Sequence, residues 1–379
     1  MGANFFSSLT CGLAAALCLT AVWSQSINAE SVVVSYDDPL IYYNGRWDIE
    51  PETWWVGSGF KVNVQNLSNL TLNLGPYTSD PVLLGVSVNY GNFTGFNATQ
   101  GENVIPLGDL APGSNAVVRI NSVGWEDNHM NLETIQINSG AVLLPYEPSR
   151  IAFQFIGDSL SAGQYVPLGV DQAWPFLTSE YFKGEHNIQA QPGIALSACR
   201  ARFFDIYSYG NVHGMSYQFF QTEDTQYYYD AMHNYTTPWN FARDYPAATH
   251  VVVMIGANDS GNNVTASSFY ETYIDFLARI RLIYPVQPMF IILPWGWPSA
   301  DAPPAPYYVG IYQEVVEYRQ SVGDRNVYLV NATGWIDYSD VFPSNLHPTV
   351  EGHQKVAGYF ESWLEEWGLV AEPTWATPA

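Results

Sequence analysis

The run Ile151-Ala-Phe-Gln-Phe-Ile156 is apolar and β-prone, and it ends abruptly in Gly157-Asp158-Ser159. Small and polar residues follow as far as Gly163. This composition describes a buried strand feeding a tight turn, with Ser159 presented at the strand's carboxyl end. In open α/β sheets that edge is where sites are built. Gly, Asp and Ser are also ordinary turn formers, so the turn alone reads equally well as plain structure. Its weight comes from the rest of the chain.

The texture differs on the two sides of this run. Residues 30 to about 148 read as all-β. Short apolar or alternating runs at 31–35, 59–64, 70–74, 82–88, 116–120 and 141–144 are punctuated by Gly, Asn, Pro and Asp. That spacing predicts a β-sandwich or jelly roll. Asn44-Gly-Arg-Trp47 and Trp54-Trp-Val-Gly-Ser-Gly-Phe60 read as core strands with aromatic anchors, in preference to a sugar platform. Pro145 and Pro148 then break the chain, which sets the expected boundary between a 30–148 domain and a 149–379 domain.

Beyond the boundary, strands and helices alternate. Strands are expected at 151–156, 186–189, 250–255, 289–293 and 327–330, and helices at 172–182, 266–284, 307–322 and 350–367. The last three helices place apolar residues three and four apart with charges opposite. This is the pattern of a three-layer α/β domain, a parallel sheet covered by helices. The aromatic segment 203–240 fits neither element and reads as an insertion or long loop near the site.

A net charge of −23 with only 13 Lys plus Arg repels nucleic acid and anionic membrane surfaces, whose attraction needs basic side chains. A neutral substrate suits this surface better. Residues 1–29 carry no charge and include an apolar run from Leu9 to Trp23. The stretch resembles a secretory signal peptide, although a basic start is missing, and it is short of the ~20 residues of a membrane span. Cys11 and Cys18 lie within it, so the expected mature chain keeps Cys199 alone and forms no internal disulfide. Asn66, Asn69, Asn92, Asn97, Asn234, Asn263 and Asn331 begin glycosylation sequons. Together with the leader they point to a secreted glycoprotein. Asn258 begins another but is expected to stay unmodified.

Three further stretches bear on Ser159. The strand at 250–255 runs into Gly256-Ala-Asn-Asp259, so Asn258 should lie at the same sheet edge. There its amide is a neutral donor for an oxygen that becomes negative during acyl transfer, or a cap for the turn. Gln191-Pro-Gly193 follows another strand, and Gly193 can bring its N–H close to a ligand. Finally His347 stands in the proline-bounded stretch Phe342-Pro-Ser-Asn-Leu-His-Pro348, just before the last helix. Trp295 and Trp297 follow a strand end and read either as pocket walls or as core. No metal-ligand spacing, phosphate loop or nucleotide fingerprint is present, so no metal and no cofactor is expected.

As an ordered set, Phe155-Ile-Gly-Asp-Ser159, Gly193, Ile255-Gly-Ala-Asn-Asp259 and His347-Pro-Thr-Val-Glu-Gly-His353 resemble the SGNH (GDSL-type) hydrolases over residues 150 to 367. The front half, with Gly45-Arg46 and Trp55-Val-Gly-Ser-Gly-Phe60, is similar to the jelly-roll half of carbohydrate esterase family two. Those enzymes remove acetyl groups from plant cell-wall polysaccharides. The resemblance implies Ser159 as nucleophile and His347 as general base and then acid. It implies an oxyanion hole from the N–H of Ser159, the N–H of Gly193 and the Asn258 side chain. Such families place Asp three residues before the histidine, where this chain has Ser344. A Ser–His dyad is therefore favoured, with a main-chain carbonyl or Ser344 orienting His347. A displaced acid, Asp340 or Asp337, is the alternative. The resulting expectation is a secreted, monomeric acetyl esterase acting on acetylated xylan or mannan. A carbohydrate-binding protein on a weakened esterase scaffold, or a lipid or feruloyl esterase, is the alternative.

Overall fold

The computed structural model describes residues 31–124, 128–197, 213–223 and 236–379. The leader, Cys199, Asn234 and most of the aromatic segment 203–240 lie outside the described residues.

The front half contains β1 (Val32–Ser35), β2 (Tyr42–Asn44), β3 (Glu52–Thr53), β4 (Gly59–Gln65), β5 (Leu70–Leu74), β6 (Val82–Val88), β7 (Thr94–Ala98), β8 (Gly101–Val104), β9 (Asn115–Ser122), β10 (Met130–Ile137) and β11 (Val142–Leu144). They pair as two antiparallel sheets. One runs β1-β10-β5-β8 with β3 beside β10, and the other runs β11-β4-β9-β6-β7 with β2 beside β4. Phe60, Val62, Val118 and Ile120 from one sheet and Leu72 and Leu132 from the other share one fully buried core. This is a β-sandwich, closed by the inner faces of both sheets.

The second half begins with β12 (Ala152–Asp158), which runs straight into α1 (Ser159–Ala162). Then come α2 (Trp174–Phe182), β13 (Glu185–Gln191), α3 (Met215–Gln218), β14 (His250–Met254), α4 (Ala257–Gly261) and α5 (Ala266–Ile283). β15 (Met289–Leu293), α6 (Ile311–Ser321), β16 (Val327–Asn331) and α7 (Val350–Trp367) complete it. The five strands are parallel, in the order β13-β12-β14-β15-β16. The long helices bury the stripe their sequence spacing predicts. α5 turns Phe269, Tyr273, Phe276, Leu277 and Ile280 inward, and α7 turns Val356, Ala357, Phe360 and Leu364 inward. Thr265 and Thr349 cap the two helices, each accepting a backbone N–H with its hydroxyl.

The strand order reverses direction between β12 and β14, and that crevice is the expected place for a ligand in such a sheet. The register fixes what arrives there. Gly157 stands opposite Ala190 on one side and Met254 on the other. The turns carrying Ser159, Gly193 and Asn258 therefore all leave the sheet at the same edge.

The two halves are bolted together by buried polar contacts. Lys61 on β4 pairs with Glu185 at the start of β13, and Arg119 on β9 with Glu180 on α2 at 2.7 Å. Arg46 Nη1 donates to the Gln221 carbonyl at 2.6 Å, and Trp55 Nε1 to the Thr222 carbonyl at 2.9 Å. The Arg46 guanidinium is packed among Trp55, Phe219, Trp239 and Phe241, 4.9 to 5.7 Å from their rings. Trp54 and Trp55 are fully buried, as anchors rather than as a platform.

Candidate active site

Ser159 is the first residue of α1, and the whole turn is built to hold it there. Asp158 caps the helix, its Oδ1 accepting from Leu160 N at 3.0 Å. Burial, followed by repulsion from Asp259, pushes the Asp158 carboxyl up to about 7 against the pull of the Leu160 N–H. Ser159 itself keeps only a sliver of exposure.

His347 reaches it from far along the chain. Its loop is shaped like a small hairpin. Phe342 N donates to the His347 carbonyl at 2.8 Å, and His347 N to Asn345 Oδ1 at 3.0 Å. The loop is pressed against the start of α7, where Thr349 N donates to the Asp340 carbonyl at 2.9 Å. Gly352 is required at this contact, because a Cβ there would stand 2.2 Å from the same Asp340 oxygen. That is the physical content of the glycine in His347-Pro-Thr-Val-Glu-Gly-His353. The outcome is a His347 Nε2 to Ser159 Oγ distance of 2.8 Å.

The other ring nitrogen, Nδ1, lies 3.0 Å from the main-chain carbonyl of Asn345. Of the expected orienters it is the main-chain carbonyl that stands here, and neither Ser344 nor the displaced acids Asp340 and Asp337 take that place. The Ser344 side chain is exposed. The Asp340 carboxylate accepts from Lys355 Nζ at 2.6 Å and from Asp337 N at 2.9 Å, inside a capping box. Asp337 is spent on Ser339. Burial lowers the His347 pKa below the ordinary histidine value, and the Asn345 carbonyl opposes that only in part.

Asn258 sits half-buried at the head of α4. Its Nδ2 donates to the Ile194 carbonyl at 3.0 Å, which uses one of that nitrogen's two hydrogens. Gly193 lies in the turn after β13 with φ +75°, a left-handed conformation that favours glycine. Asp259 ties the two segments together by accepting from Leu196 N at 2.7 Å and Ser197 N at 3.0 Å. The loop carrying Gly193 is thus pinned to the helix carrying Asn258.

Other candidates separate. Trp295 is 2% exposed and belongs to the core, so it offers no face for stacking. Trp297 is half-buried against Tyr307, ring centres 5.7 Å apart. His353 is fully buried, with Nδ1 facing Trp174 N at 3.4 Å, a packing role. Tyr165 was not singled out from the sequence. It is 51% exposed, has φ +75°, and sets its ring edge-on to His347 with centres 5.0 Å apart. Its signal lay only in its position six residues after Ser159 on the same turn. Among the described residues no cluster of three His, Cys, Asp or Glu side chains could hold a metal ion.

The GDSL-like lipase/acylhydrolase family model matches residues 155–355, more than half of the chain. The chain belongs to this family. GDSL acylhydrolases are carboxylic ester hydrolases, and the Ser159–His347 pair lies within the matched span. No curated relative matches. Among solved structures, a family two carbohydrate esterase from Clostridium thermocellum in complex with cellohexaose is similar at 19% identity and TM-score 0.67, covering 86% of this chain and 98% of that one. A family two carbohydrate esterase from Cellvibrio japonicus is similar at 14% and 0.70, over 89% and 98%. An acetyl xylan esterase from the rumen bacterium Butyrivibrio proteoclasticus is similar at 15% and 0.68, again over 89% and 98%. This acylhydrolase therefore shares with them the whole two-part fold, sandwich and α/β half together.

Proposed function

We propose that the protein is a secreted serine esterase that removes O-acetyl groups from a plant cell-wall polysaccharide of the xylan or mannan type, using a Ser159–His347 dyad. The observation that carries the chemistry is the 2.8 Å contact between His347 Nε2 and Ser159 Oγ. A carbonyl can only accept, so the proton of the neutral ring sits on Nδ1 toward Asn345, and Nε2 is left free to take the serine proton.

In this mechanism Ser159 Oγ attacks the acetyl carbonyl as His347 Nε2 takes its proton. The N–H groups of Ser159 and Gly193 and the second Asn258 N–H receive the negative oxygen. His347 returns the proton to the departing sugar oxygen, leaving acetyl-Ser159. Water, deprotonated by His347, then displaces acetate and restores the serine. No step calls for a cofactor.

The sugar assignment is supported by the shared two-part fold, by a relative solved with cellohexaose, and by a negative surface suited to neutral substrates. Secretion is supported by the leader at 1–29 and by six described sequon asparagines that are all exposed. Asn258, in contrast, is half-buried. The proposed mature chain comprises domains 30–148 and 149–379. The test is release of acetate from acetylated xylan and acetylated glucomannan, with Ser159→Ala as control. Turnover by Ser159→Ala equal to that of the parent would refute the dyad.

A further inference from the structure

A cleft lies where the front half meets residues 236–246, lined by no residue of the Ser159 site. It encloses about 310 Å³, within the range of small-molecule sites. Gly45 on its wall donates to Asn187 Oδ1 at 2.8 Å, and Asn187 stands opposite Gln154 in the sheet. Gln154 precedes Ser159 by five residues along an extended strand, so the Gly45 wall stands roughly 16 Å along the sheet from Ser159.

Two tyrosine rings face the cleft, Tyr36 exposed and Tyr43 half-buried, and they are backed by the buried Trp47 and by the buried Trp239, over whose ring the Arg243 guanidinium lies at 4.8 Å. Each is held by the fold before any ligand arrives, except the more exposed Tyr36. Trp47 Nε1 donates to the Asn44 carbonyl at 3.0 Å, Tyr43 Oη to the Tyr36 carbonyl at 2.6 Å, and Trp239 Nε1 to Asp244 Oδ1 at 2.9 Å. Fixed aromatic walls bind with little ordering cost. Asp37, Asp48 and Arg243 stand around them, which places acceptors and a donor beside flat apolar surfaces. Two carboxylates against one guanidinium, on a chain of charge −23, exclude phosphates and polyuronates. A neutral pyranose has the matching chemistry, with C–H faces to lie on rings and hydroxyls at its edge.

We infer that this cleft is a non-catalytic binding site for the unsubstituted backbone of a neutral polysaccharide. The inference rests on the esterase reading for the identity of the polymer. Occupying it would tether the chain being deacetylated and raise its effective concentration at Ser159 without any new contact there.

The test uses Tyr36→Ala/Arg243→Ala, two exposed positions outside the Ser159 site. Retention of the protein on soluble xylan and glucomannan is read by affinity electrophoresis, and turnover is read on acetylated polymer and on 4-nitrophenyl acetate. The double variant should lose about 10-fold in retention and in kcat/KM on polymer, with 4-nitrophenyl acetate turnover and thermal midpoint unchanged. Wild-type protein that is not retained, a variant retained and turning over as the wild type does, or an equal fall on the small ester each overturns the proposal. If the wild type is retained and the variant is not, while neither cleaves any ester, the cleft stands and the esterase reading falls.

Discussion

The Asn345 carbonyl lies 3.0 Å from His347 Nδ1, in the place where a third catalytic side chain would act. A neutral oxygen fixes the tautomer as a carboxylate does, but it stabilises the imidazolium less. The groups nearby that sequence spacing suggested are exposed or already engaged. Ser344→Ala should therefore leave kcat on 4-nitrophenyl acetate within about twofold, the scale of neutral surface changes. Asp340→Asn should do the same while lowering the thermal midpoint by a few degrees, because it weakens the Lys355 contact and the capping box. A 100-fold fall in kcat for either variant would return a side chain to the triad.

The pH profile follows from the burial of His347. Its pKa is lowered, chiefly by desolvation. A lowered pKa keeps the ring neutral, and able to accept a proton, to more acidic pH. The acid limb of kcat/KM should thus have its midpoint below the reference value of about 6.5. A midpoint above 7 would mean that the ring is stabilised in its charged form by a group that the geometry does not supply.

In the proposed mechanism Asn258 supplies a side-chain donor whose loss can be separated from binding. Asn258→Ala should reduce kcat by roughly 100- to 1000-fold with little change in KM, because the bond forms chiefly to the oxyanion. A rise in KM at constant kcat would assign Asn258 to holding the substrate.

Tyr165 combines an edge-on contact to His347 with a left-handed backbone. Tyr165→Gly removes the ring while suiting the backbone. An aromatic pair is worth about 0.5–1.5 kcal/mol, so a fall in kcat/KM of roughly 2- to 10-fold is expected, with the fold retained. Tyr165→Phe keeps the ring edge and should match the wild type. If Tyr165→Phe is as slow as Tyr165→Gly, the hydroxyl matters and not the ring.

Much of this was legible in the sequence because local and global signals agree there. Each strand of the parallel sheet is a short apolar run between turn formers, and α7 runs from Val350 to Trp367 as its periodicity predicts. The placement of Ser159 and Asn258 at one sheet edge was legible because each follows such a run directly. β10 was not legible. Its register against β5 shifts between Leu132 and Thr134, so its buried Met130, Leu132, Ile135 and Ile137 do not keep a period of two. That a main-chain carbonyl could orient His347 was expected, but not that it is Asn345's, since a backbone atom leaves no residue-type signature. Tyr165 was hidden because its contact depends on the loop conformation and not on spacing.

The Lys61–Glu185 pair joins the sandwich to the edge strand that ends at the Gly193 turn, so its energetics bear on the site as well as on the fold. Burial pushes the Glu185 carboxyl up, but the Lys61 ammonium and the Ser149 N–H outweigh it, and its pKa is lowered from the ordinary 4.5. Lys61→Met leaves that buried charge unpaired and should cost about 3–5 kcal/mol near neutral pH. In Lys61→Met/Glu185→Gln the oxygen can still accept from Ser149 N and Tyr146 Oη, and most of the loss should be recovered. The sign with pH is fixed. In the wild type the depressed pKa contributes stability above 4.5 that is lost as pH falls through the folded value. In Lys61→Met burial, the largest cause, is opposed only by the remaining Ser149 and Tyr146 hydrogen bonds and should raise the pKa, so stability falls as pH rises above 4.5. The gap between the two proteins in urea unfolding should therefore widen from pH 4 to pH 8. Equal gaps at both ends, or a double variant no better than the single one, would show that Lys61 acts through packing and not through its charge.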